Sequence, residues 1–248
     1  MIYAFEEFKK HGYKVSSLGL FQADDGNIEE NDIIVLPVPV TRDGSTVNCP
    51  ITNAVISLDD VLKKCDGKSV YGGCYNADTN FTDYCALDDY CLLNAVPTAE
   101  GAISFAIENT DFTLWKSRVL IIGYGRVGKI LCDRLIGMKC DVTVTARKQK
   151  DFAFLDALNV KFEKTENINK IKNNYDIIFN TVDISLFDDV SEFPRNTLLI
   201  DLSSKGCIDF SKAHEMGCKA FKLPGIPGIN APKTAGKILA HTLIGLIN

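Results

Sequence analysis

The stretch of sequence that decides the fold reads Val119-Leu120-Ile121-Ile122-Gly123-Tyr124-Gly125-Arg126-Val127-Gly128-Lys129. A strand-like apolar run is followed by glycines in G-x-G-x-x-G spacing and then by the start of a helical pattern. Gly123 suits a tight strand-to-helix turn, Gly125 lets the backbone approach a pyrophosphate, and Gly128 lets the new helix pack closely. Because the amides at a helix N-terminus favour anions, the stretch predicts a dinucleotide site. The residues expected to contact the dinucleotide here are Gly123, Tyr124, Gly125, Arg126, Val127 and Gly128.

The composition is that of an ordinary globular protein. The 248 residues suffice for one large or two modest domains. A net charge of -5 argues against nucleic acid or an anionic membrane as a partner. No apolar run approaches the roughly 18 residues of a membrane helix, and the first residues lack the features of a signal peptide. We therefore expect a cytoplasmic protein.

The nine cysteines do not predict a metal site. The sequence contains no C-x-x-C pair, and none of the histidines, His11, His214 and His241, lies at zinc-ligand spacing from a cysteine. We expect reduced and mostly buried thiols, as is usual in a reducing cytoplasm. A local cluster of Cys74, Cys85 and Cys91 is the alternative.

The first half of the chain, residues 1–97, alternates helical and strand-like patterns. This alternation predicts a small α/β domain with a parallel sheet. Helices are expected at residues 3–10 and 56–64, and strands at residues 15–20, 32–36 and 68–71.

The turn that follows residues 32–36 carries Arg42 and Asp43. Ligands of open α/β sheets gather beyond the carboxyl ends of the strands, so both residues are candidates for substrate contacts. The alternative is that Asp43-Gly44 is an ordinary turn and Arg42 a solvated side chain. The sequence favours neither interpretation.

A helix that joins the two halves is predicted to begin at Pro97-Thr98-Ala99-Glu100. Thr98 is suited to cap its N-terminus, and Glu100 falls in the first turn, where an acid suits the helix dipole. Thr98 and Glu100 therefore either face an interdomain cleft or act only in capping.

Residues 98–248 are predicted to form a Rossmann-type domain that includes this connecting helix and a C-terminal helix. Further helices at residues 129–135 and 233–247 and strands at residues 141–145, 176–180, 197–201 and 220–222 follow in that rhythm. Asn180, Thr181 and Ser203 come directly after predicted strands, where a nicotinamide ring would bind. Lys233 lies in the first turn of the last helix, where its charge opposes the dipole and suggests an anionic ligand.

The end of the strand at residues 141–145 bears on which dinucleotide is bound. An NAD site commonly has an acid there for the ribose hydroxyls, whereas an NADP site replaces the acid by a cation. The chain has Ala146-Arg147-Lys148, and Arg147 can bind a 2'-phosphate through paired hydrogen bonds. The sequence therefore favours NADP over NAD, with a solvated Arg147 as the alternative.

Three further segments carry a family resemblance. They read Pro97-Thr98-Ala99-Glu100-Gly101-Ala102-Ile103, then Leu199-Ile200-Asp201-Leu202-Ser203-Ser204, then Leu223-Pro224-Gly225-Ile226-Pro227-Gly228 continuing through Ala231-Pro232-Lys233-Thr234-Ala235-Gly236. With the glycine loop, they resemble the dipicolinate synthase A-subunit family from about Ile33 to the C-terminus. The expected fold is α/β, with a Rossmann-type dinucleotide-binding domain and a smaller flavodoxin-like N-terminal domain.

The resemblance implies an activity and a partner. The activity is the NADP-dependent oxidation of the dihydropyridine product of the lysine pathway's aldol step to pyridine-2,6-dicarboxylate, which accumulates in bacterial endospores. The partner is the dipicolinate synthase B-subunit, of flavoprotein-like fold, and a homo-oligomer is also compatible with the sequence. We thus expect a role in sporulation.

The start of the chain departs from the family pattern. The family's first domain usually opens with a strand and a glycine-containing turn before the helix that lies here at Tyr3. Either the start is truncated or the first sheet lacks a strand, so substrate contacts from that turn are not carried over.

The implied substrate has two carboxylates, which need cations or backbone amides to offset their desolvation. Arg42 and Lys233 are the candidate cations, with Lys205 as a further one. Loss of a hydride from a ring carbon also needs a base for a ring proton. The carboxylates of Glu100, Asp43 and Asp201 are candidates, and their spacing does not choose among them.

Two other functions remain as alternatives. A D-2-hydroxyacid dehydrogenase has a similar layout but needs a histidine acid-base in the loop after the last Rossmann strand, and residues 223–232 contain none. A non-catalytic, nucleotide-binding regulatory subunit would keep the glycine loop and Arg147 but lack activity.

Overall fold

The computed structural model describes residues 1–22, 24, 26–75, 81–171, 175–186 and 196–247. The chain divides into two compact units, the first formed by Met1–Asn94 with Pro232–Asn248 and the second by Ala95–Ala231. Within the described residues, no helix has the length and apolar character needed to span a membrane.

The secondary structure alternates in both units. The helices are α1 (Ile2–Lys10), α2 (Leu58–Lys64), α3 (Asp88–Glu108), α4 (Arg126–Gly137), α5 (Gln149–Ala157), α6 (Ile168–Ile171), α7 (Phe210–Glu215), α8 (Ile226–Asn230) and α9 (Pro232–Ile247). The strands are β1 (Ile33–Val35), β2 (Ser69–Gly72), β3 (Phe81–Asp83), β4 (Arg118–Ile122), β5 (Asp141–Ala146), β6 (Lys161–Lys164), β7 (Ile177–Asn180), β8 (Leu198–Asp201) and β9 (Ala220–Lys222).

The first unit contains a three-stranded parallel sheet in the order β1-β2-β3. Leu58 and Val61 of α2 pack on Val70 of β2 in one apolar cluster. A second cluster joins α1 to α9 through Phe8 and Leu239, where burial of each side chain stabilises the pair by roughly 1.5–3 kcal/mol.

The second unit contains a six-stranded, wholly parallel sheet in the order β6-β5-β4-β7-β8-β9. Counted within the unit, this is the 3-2-1-4-5-6 order of a Rossmann fold. Strands β7 and β8 are buried along their whole length, as expected for strands covered on both faces. The order reverses between β4 and β7, so the ligand crevice of such a fold lies at their carboxyl ends.

The structure confirms the α/β class and the parallel sheets predicted from the sequence. The predicted strand at residues 15–20 is wrong. Asp24 accepts hydrogen bonds from Ser17 Oγ at 2.6 Å, from Phe21 N at 3.0 Å and from Gly19 N. A carboxylate that takes these donors competes with strand pairing, and the segment is an irregular loop.

The predicted start of the connecting helix is also wrong. Helix α3 begins at Asp88 and passes through Pro97, so Thr98 and Glu100 lie in the helix interior. Asp88 and Asp89 instead provide the acidic first turn. The buried side chains of Tyr90 and Ala95 show why the helix extends towards the N-terminus.

The C-terminal helix α9 groups with the first unit, which differs from the expectation that residues 98–248 form one domain. Its Gly236 lies against α1, and a Cβ there would be 2.6 Å from Tyr3 Cβ and 2.8 Å from Ala4 N. This close approach between segments far apart in sequence explains the grouping.

Candidate functional site

The glycine loop joins β4 to α4 at the carboxyl edge of the second unit's sheet. Gly123 has a φ of 98°, which glycine adopts without strain. A Cβ there would lie 2.5 Å from Val182 Cγ1 and 2.7 Å from Thr181 Oγ1. A Cβ on Gly128 would collide with the carbonyl oxygen of Gly123, so α4 begins in direct contact with the loop. The backbone requires glycine at both positions.

The space above Gly125 suits a phosphate. Gly125 is the N-cap of α4, and a Cβ built on it would meet no described atom within 4 Å. No side chain caps the 12-residue helix, and its first turn carries no acid. The N-terminal amides and dipole of α4 are therefore available to an anion, and these residues fit a dinucleotide pyrophosphate.

The other loop residues differ in exposure. Arg126 is exposed and Val127 is half-buried. Tyr124 is buried with its ring beside that of Phe154, at a centroid distance of 6.4 Å. Burial, with smaller effects of Cys132 and Asp151, raises the pKa of Tyr124 to about 12. Its phenol is thus a neutral core group, while its backbone belongs to the loop.

The end of β5 presents cations and no acid. Ala146 is buried, and Arg147 and Lys148 are exposed. Within the described part of the chain, no ion pair involves Arg147. The guanidinium is accordingly not held by a neighbouring carboxylate.

Asn180 and Asp201 are paired across the carboxyl ends of β7 and β8. Asp201 Oδ1 accepts from Asn180 Nδ2 at 2.7 Å and from Ser203 N at 3.1 Å. Asp201 Oδ2 is buried and receives no hydrogen bond from an N–H or O–H group of a described residue. Burial, and then the neighbouring Asp201 carboxylate, raise the pKa of the Cys207 thiol. Asp201 thus organises the two strand ends from an enclosed position.

Thr181 and Ser203 also hold the backbone of this edge. Thr181 donates to the carbonyl of Ile122 from both its N–H and its hydroxyl, each at 2.9 Å. Ser203 Oγ accepts from Gly206 N at 3.2 Å. Both side chains therefore shape the loops that surround the predicted nicotinamide position.

Sequence reasoning missed Asp183 at this edge. Its carboxylate accepts from Ser204 Oγ at 2.8 Å and from Lys205 N at 2.9 Å, and these bonds lower the pKa of Asp183. Asp183 thus ties the segment after β7 to the segment after β8 and leaves the side chain of Lys205 exposed. An acid closely following a predicted strand is the signal that points to it.

Glu100 lies on α3 beside α4. Its exposed carboxylate is 3.7 Å from Arg134 Nε. Arg134 is eight residues beyond Arg126 in α4, roughly 12 Å further along the helix axis. Glu100 is consequently displaced from the glycine loop.

The predicted substrate contacts of the first unit include the loop at residues 41–46. Asp43 accepts from Thr41 Oγ1, Ser45 N, Thr46 N and Thr46 Oγ1 at 2.6–3.1 Å. These bonds, those of Thr46 first, lower the pKa of Asp43, so it is an ionised turn residue. Arg42 is exposed on this loop, and Lys233 is exposed in the first turn of α9.

Two cysteines are held together at the carboxyl edge of the three-stranded sheet. Asp83 Oδ1 accepts from Cys74 N at 3.0 Å and from Cys85 N at 2.8 Å. The thiols of Cys74 and Cys85 are hydrogen-bonded, and this bond lowers the pKa of Cys74 to about 7. Cys91 Sγ is 2.9 Å from the carbonyl oxygen of Cys85, so the predicted alternative of a local cluster is present as reduced thiols.

Two of the segments quoted above contact each other within the second unit. A Cβ on Gly101 of α3 would collide with Ile226 Cγ2 of α8, so glycine lets α8 pack directly on α3. The Pro-Gly segment begins with Gly225 at a φ of 68° and then forms the short helix α8. This packing gives a structural reason for both segments.

Comparisons with known proteins agree with this geometry. No family model matches the chain. The A-subunit of dipicolinate synthase from Bacillus subtilis is 31% identical over 90% of this chain and 80% of its own length. The crystal structure of the dipicolinate synthase A-subunit from Bacillus halodurans superposes with a TM-score of 0.89 at 29% identity, covering 99% of this chain and 93% of that one.

A more distant structure shares only the fold. Salmonella D-lactate dehydrogenase superposes with a TM-score of 0.63 at 12% identity, covering 100% of this chain and 92% of that one.

The fold, the glycine loop and the relatives define an oxidoreductase subunit of the nicotinamide-dinucleotide type. The extent of the match to the Bacillus subtilis protein narrows this class further. The chain belongs to the dipicolinate synthase A-subunit family.

Proposed function

We propose that the chain is the catalytic, NADP-dependent subunit of a dipicolinate synthase. In this role it oxidises a dihydropyridine dicarboxylate, formed in the aldol step of the lysine pathway, to pyridine-2,6-dicarboxylate during sporulation. The observation that carries the proposal is the match to the Bacillus subtilis dipicolinate synthase protein along 90% of the chain. The glycine loop that fits a pyrophosphate supports it.

The residues of the second unit have distinct roles in holding the cofactor. The amides at the start of α4 bind the pyrophosphate, and the open space at Gly125 lets it approach the backbone. Arg147 binds the 2'-phosphate because a guanidinium forms paired, charge-assisted hydrogen bonds with phosphate oxygens. When bound, the nicotinamide supplies hydride acceptance.

Substrate binding requires positive charge. Each substrate carboxylate loses hydration on binding, and cations offset that cost. Arg42 and Lys233 bind the two carboxylates, and Lys205 is a further cation for the same purpose. The ring gives up one hydride and one proton, and the product is aromatic.

The three candidate bases differ in their surroundings. Asp43 is engaged by its own turn, and hydrogen bonds that lower its pKa also make it a weak proton acceptor. Asp201 is enclosed and acts as a positioning residue through Asn180 and Ser203. Glu100 has an accessible carboxylate but pairs with Arg134, so in this proposal it accepts the ring proton only if that pair opens.

The proposal includes a partner. The name of the Bacillus subtilis relative specifies one subunit of a synthase, the one designated by the letter A. We therefore assign a second, flavoprotein-like B-subunit to the same complex.

Steady-state kinetics of Arg42→Ala test the substrate assignment. Loss of a carboxylate contact should raise the KM for the dihydropyridine dicarboxylate by roughly tenfold or more, as expected for losing a charged hydrogen bond of about 1.5–3 kcal/mol. The KM for NADP should not change. Lys63→Ala, which removes an exposed cation from α2, is the matched control. An unchanged KM and kcat in Arg42→Ala would remove Arg42 from the substrate site.

A further inference from the structure

Glu7, His11 and His241 converge where α1 ends against α9. Within the described residues, one ligand atom from each of the three lies within 4.8 Å of the other two. All three belong to the first unit, and none of them takes part in the function proposed above.

The carboxylate of Glu7 is a pre-positioned anion. Glu7 is 7% exposed, and its Oε1 lies 3.1 Å from His241 Nε2 while its Oε2 accepts from Lys10 Nζ at 3.2 Å. Hydrogen bonds from His241 and then from Lys10 lower the pKa of Glu7. The oxygen that faces His241 is therefore an ionised ligand at neutral pH.

The ring of His11 has a defined orientation. Its Nδ1 lies 2.9 Å from the backbone carbonyl oxygen of Glu7, and because a carbonyl only accepts, Nδ1 carries the hydrogen. In the neutral ring, Nε2 then has a free lone pair. A histidine whose Nδ1–H is bound by a backbone carbonyl and whose Nε2 is free is the arrangement that metal-binding histidines commonly use.

The two imidazoles approach each other without stacking. The rings of His11 and His241 have centroids 5.3 Å apart and an interplanar angle of 73°. An ion pair between Glu7 and His241 explains two of the residues but not the position of the third.

We propose that Glu7, His11 and His241 form a binding site for a zinc-class divalent cation. Two imidazole nitrogens and one carboxylate oxygen are a ligand set that zinc uses, with water in the fourth position. In such a tetrahedron the ligand atoms lie about 3.3 Å apart, given metal–ligand distances of about 2.0–2.1 Å. The exposed side chains of His11 and His241 close the remaining gap by rotating.

Two lysines set the strength of the site. Lys10 is paired with Glu7, and Lys237 of α9 also contributes positive charge near its carboxylate. Both cations oppose a bound metal ion, so the site is of moderate affinity, and Lys10→Ala strengthens binding. Bound zinc links α1 to α9 and stabilises the first unit, since a ligand that binds only the folded state shifts the unfolding equilibrium.

Zinc titration of the metal-free full-length chain against a chromophoric chelator tests the proposal. We expect one zinc per chain in the wild type, a roughly tenfold or greater loss of affinity in the double variant His11→Ala/His241→Ala, and tighter binding in Lys10→Ala. His214→Gln, which changes a histidine of α7, is the matched control and should bind like the wild type. Equal affinity in the wild type and the double variant would overturn the site.

Cobalt spectroscopy separates this site from the cysteines. Cobalt bound by His and Glu should show d–d bands without the intense thiolate-to-metal charge-transfer band. The melting temperature should rise with zinc in the wild type but not in the double variant, whose exposed substitutions leave the circular dichroism spectrum intact. A thiolate band that persists in the double variant would assign the metal to cysteine and contradict the proposal.

Discussion

The thiol of Cys74 is exposed at the carboxyl end of β2 and accepts a hydrogen bond from the Cys85 thiol, which lowers the pKa of Cys74 to about 7. A thiolate is the reactive form of cysteine. Cys74 should therefore alkylate with a midpoint near pH 7 and ahead of the other cysteines. In Cys85→Ala the midpoint should shift upwards, because the donor to the thiolate is lost.

Iodoacetamide labelling followed by peptide mass spectrometry measures this reactivity. Cys65 of the same unit is the matched comparison, since burial raises the pKa of its thiol. A Cys74 midpoint that is the same with and without Cys85 would show that the thiol–thiol bond does not control reactivity.

The cofactor preference depends on Arg147. Arg147→Asp removes the cation and adds the acid that NAD sites place near this position, so it should reverse a preference for NADP by at least roughly tenfold in kcat/KM, consistent with a charge-assisted phosphate contact. Lys219→Asp makes the same change of charge just before β9, at the opposite edge of the sheet, and should leave the preference intact. If the native protein uses NAD and NADP equally well, the assignment of Arg147 is wrong.

At the scale of elements, α4 and the glycine loop form a single packed unit. A Cβ on Gly128 would collide with the carbonyl of Gly123, whereas a Cβ on Gly137 at the other end of α4 meets no described atom within 4 Å. Gly128→Ala should destabilise the protein by about 1–3 kcal/mol, as overpacking does, and weaken dinucleotide binding. Gly137→Ala should be neutral or stabilise by up to about 1 kcal/mol through helix propensity.

Denaturant unfolding and fluorescence titration with NADPH report these two quantities. If Gly128→Ala behaved like Gly137→Ala in both measurements, close packing of helix and loop would not be required.

Strong local patterns allowed most elements to be predicted from the sequence. Apolar runs such as 176–180 and 197–201 predicted β7 and β8, because a parallel strand buried on both faces is apolar throughout. The short strand β6 has mostly exposed residues and gives no such signal. The loop at residues 15–20 was mistaken for a strand because the competing carboxylate, Asp24, lies outside the run.

The candidate site was predictable where backbone shape decides the residue. Gly123, Gly125 and Gly128 each have a distinct steric reason in the structure. Side-chain roles were less predictable, since Glu100 pairs with Arg134 and Asp43 with its own turn. Those partners depend on the tertiary arrangement of helices and on turn geometry.

At the scale of the whole molecule, the grouping of α9 with α1 escaped prediction. Gly236 lies against Tyr3 and Ala4, and His241 contacts Glu7. Such contacts join residues more than two hundred positions apart, and no local period in the sequence reports them.

The most direct test of the account follows NADPH formation when the purified protein, the aldol-step product and NADP are mixed, with and without the B-subunit. Because one hydride leaves each ring, the account predicts NADPH and pyridine-2,6-dicarboxylate in equal amounts in at least one mixture. NADPH binding without either product in both mixtures would contradict it and would identify a regulatory, nucleotide-binding protein.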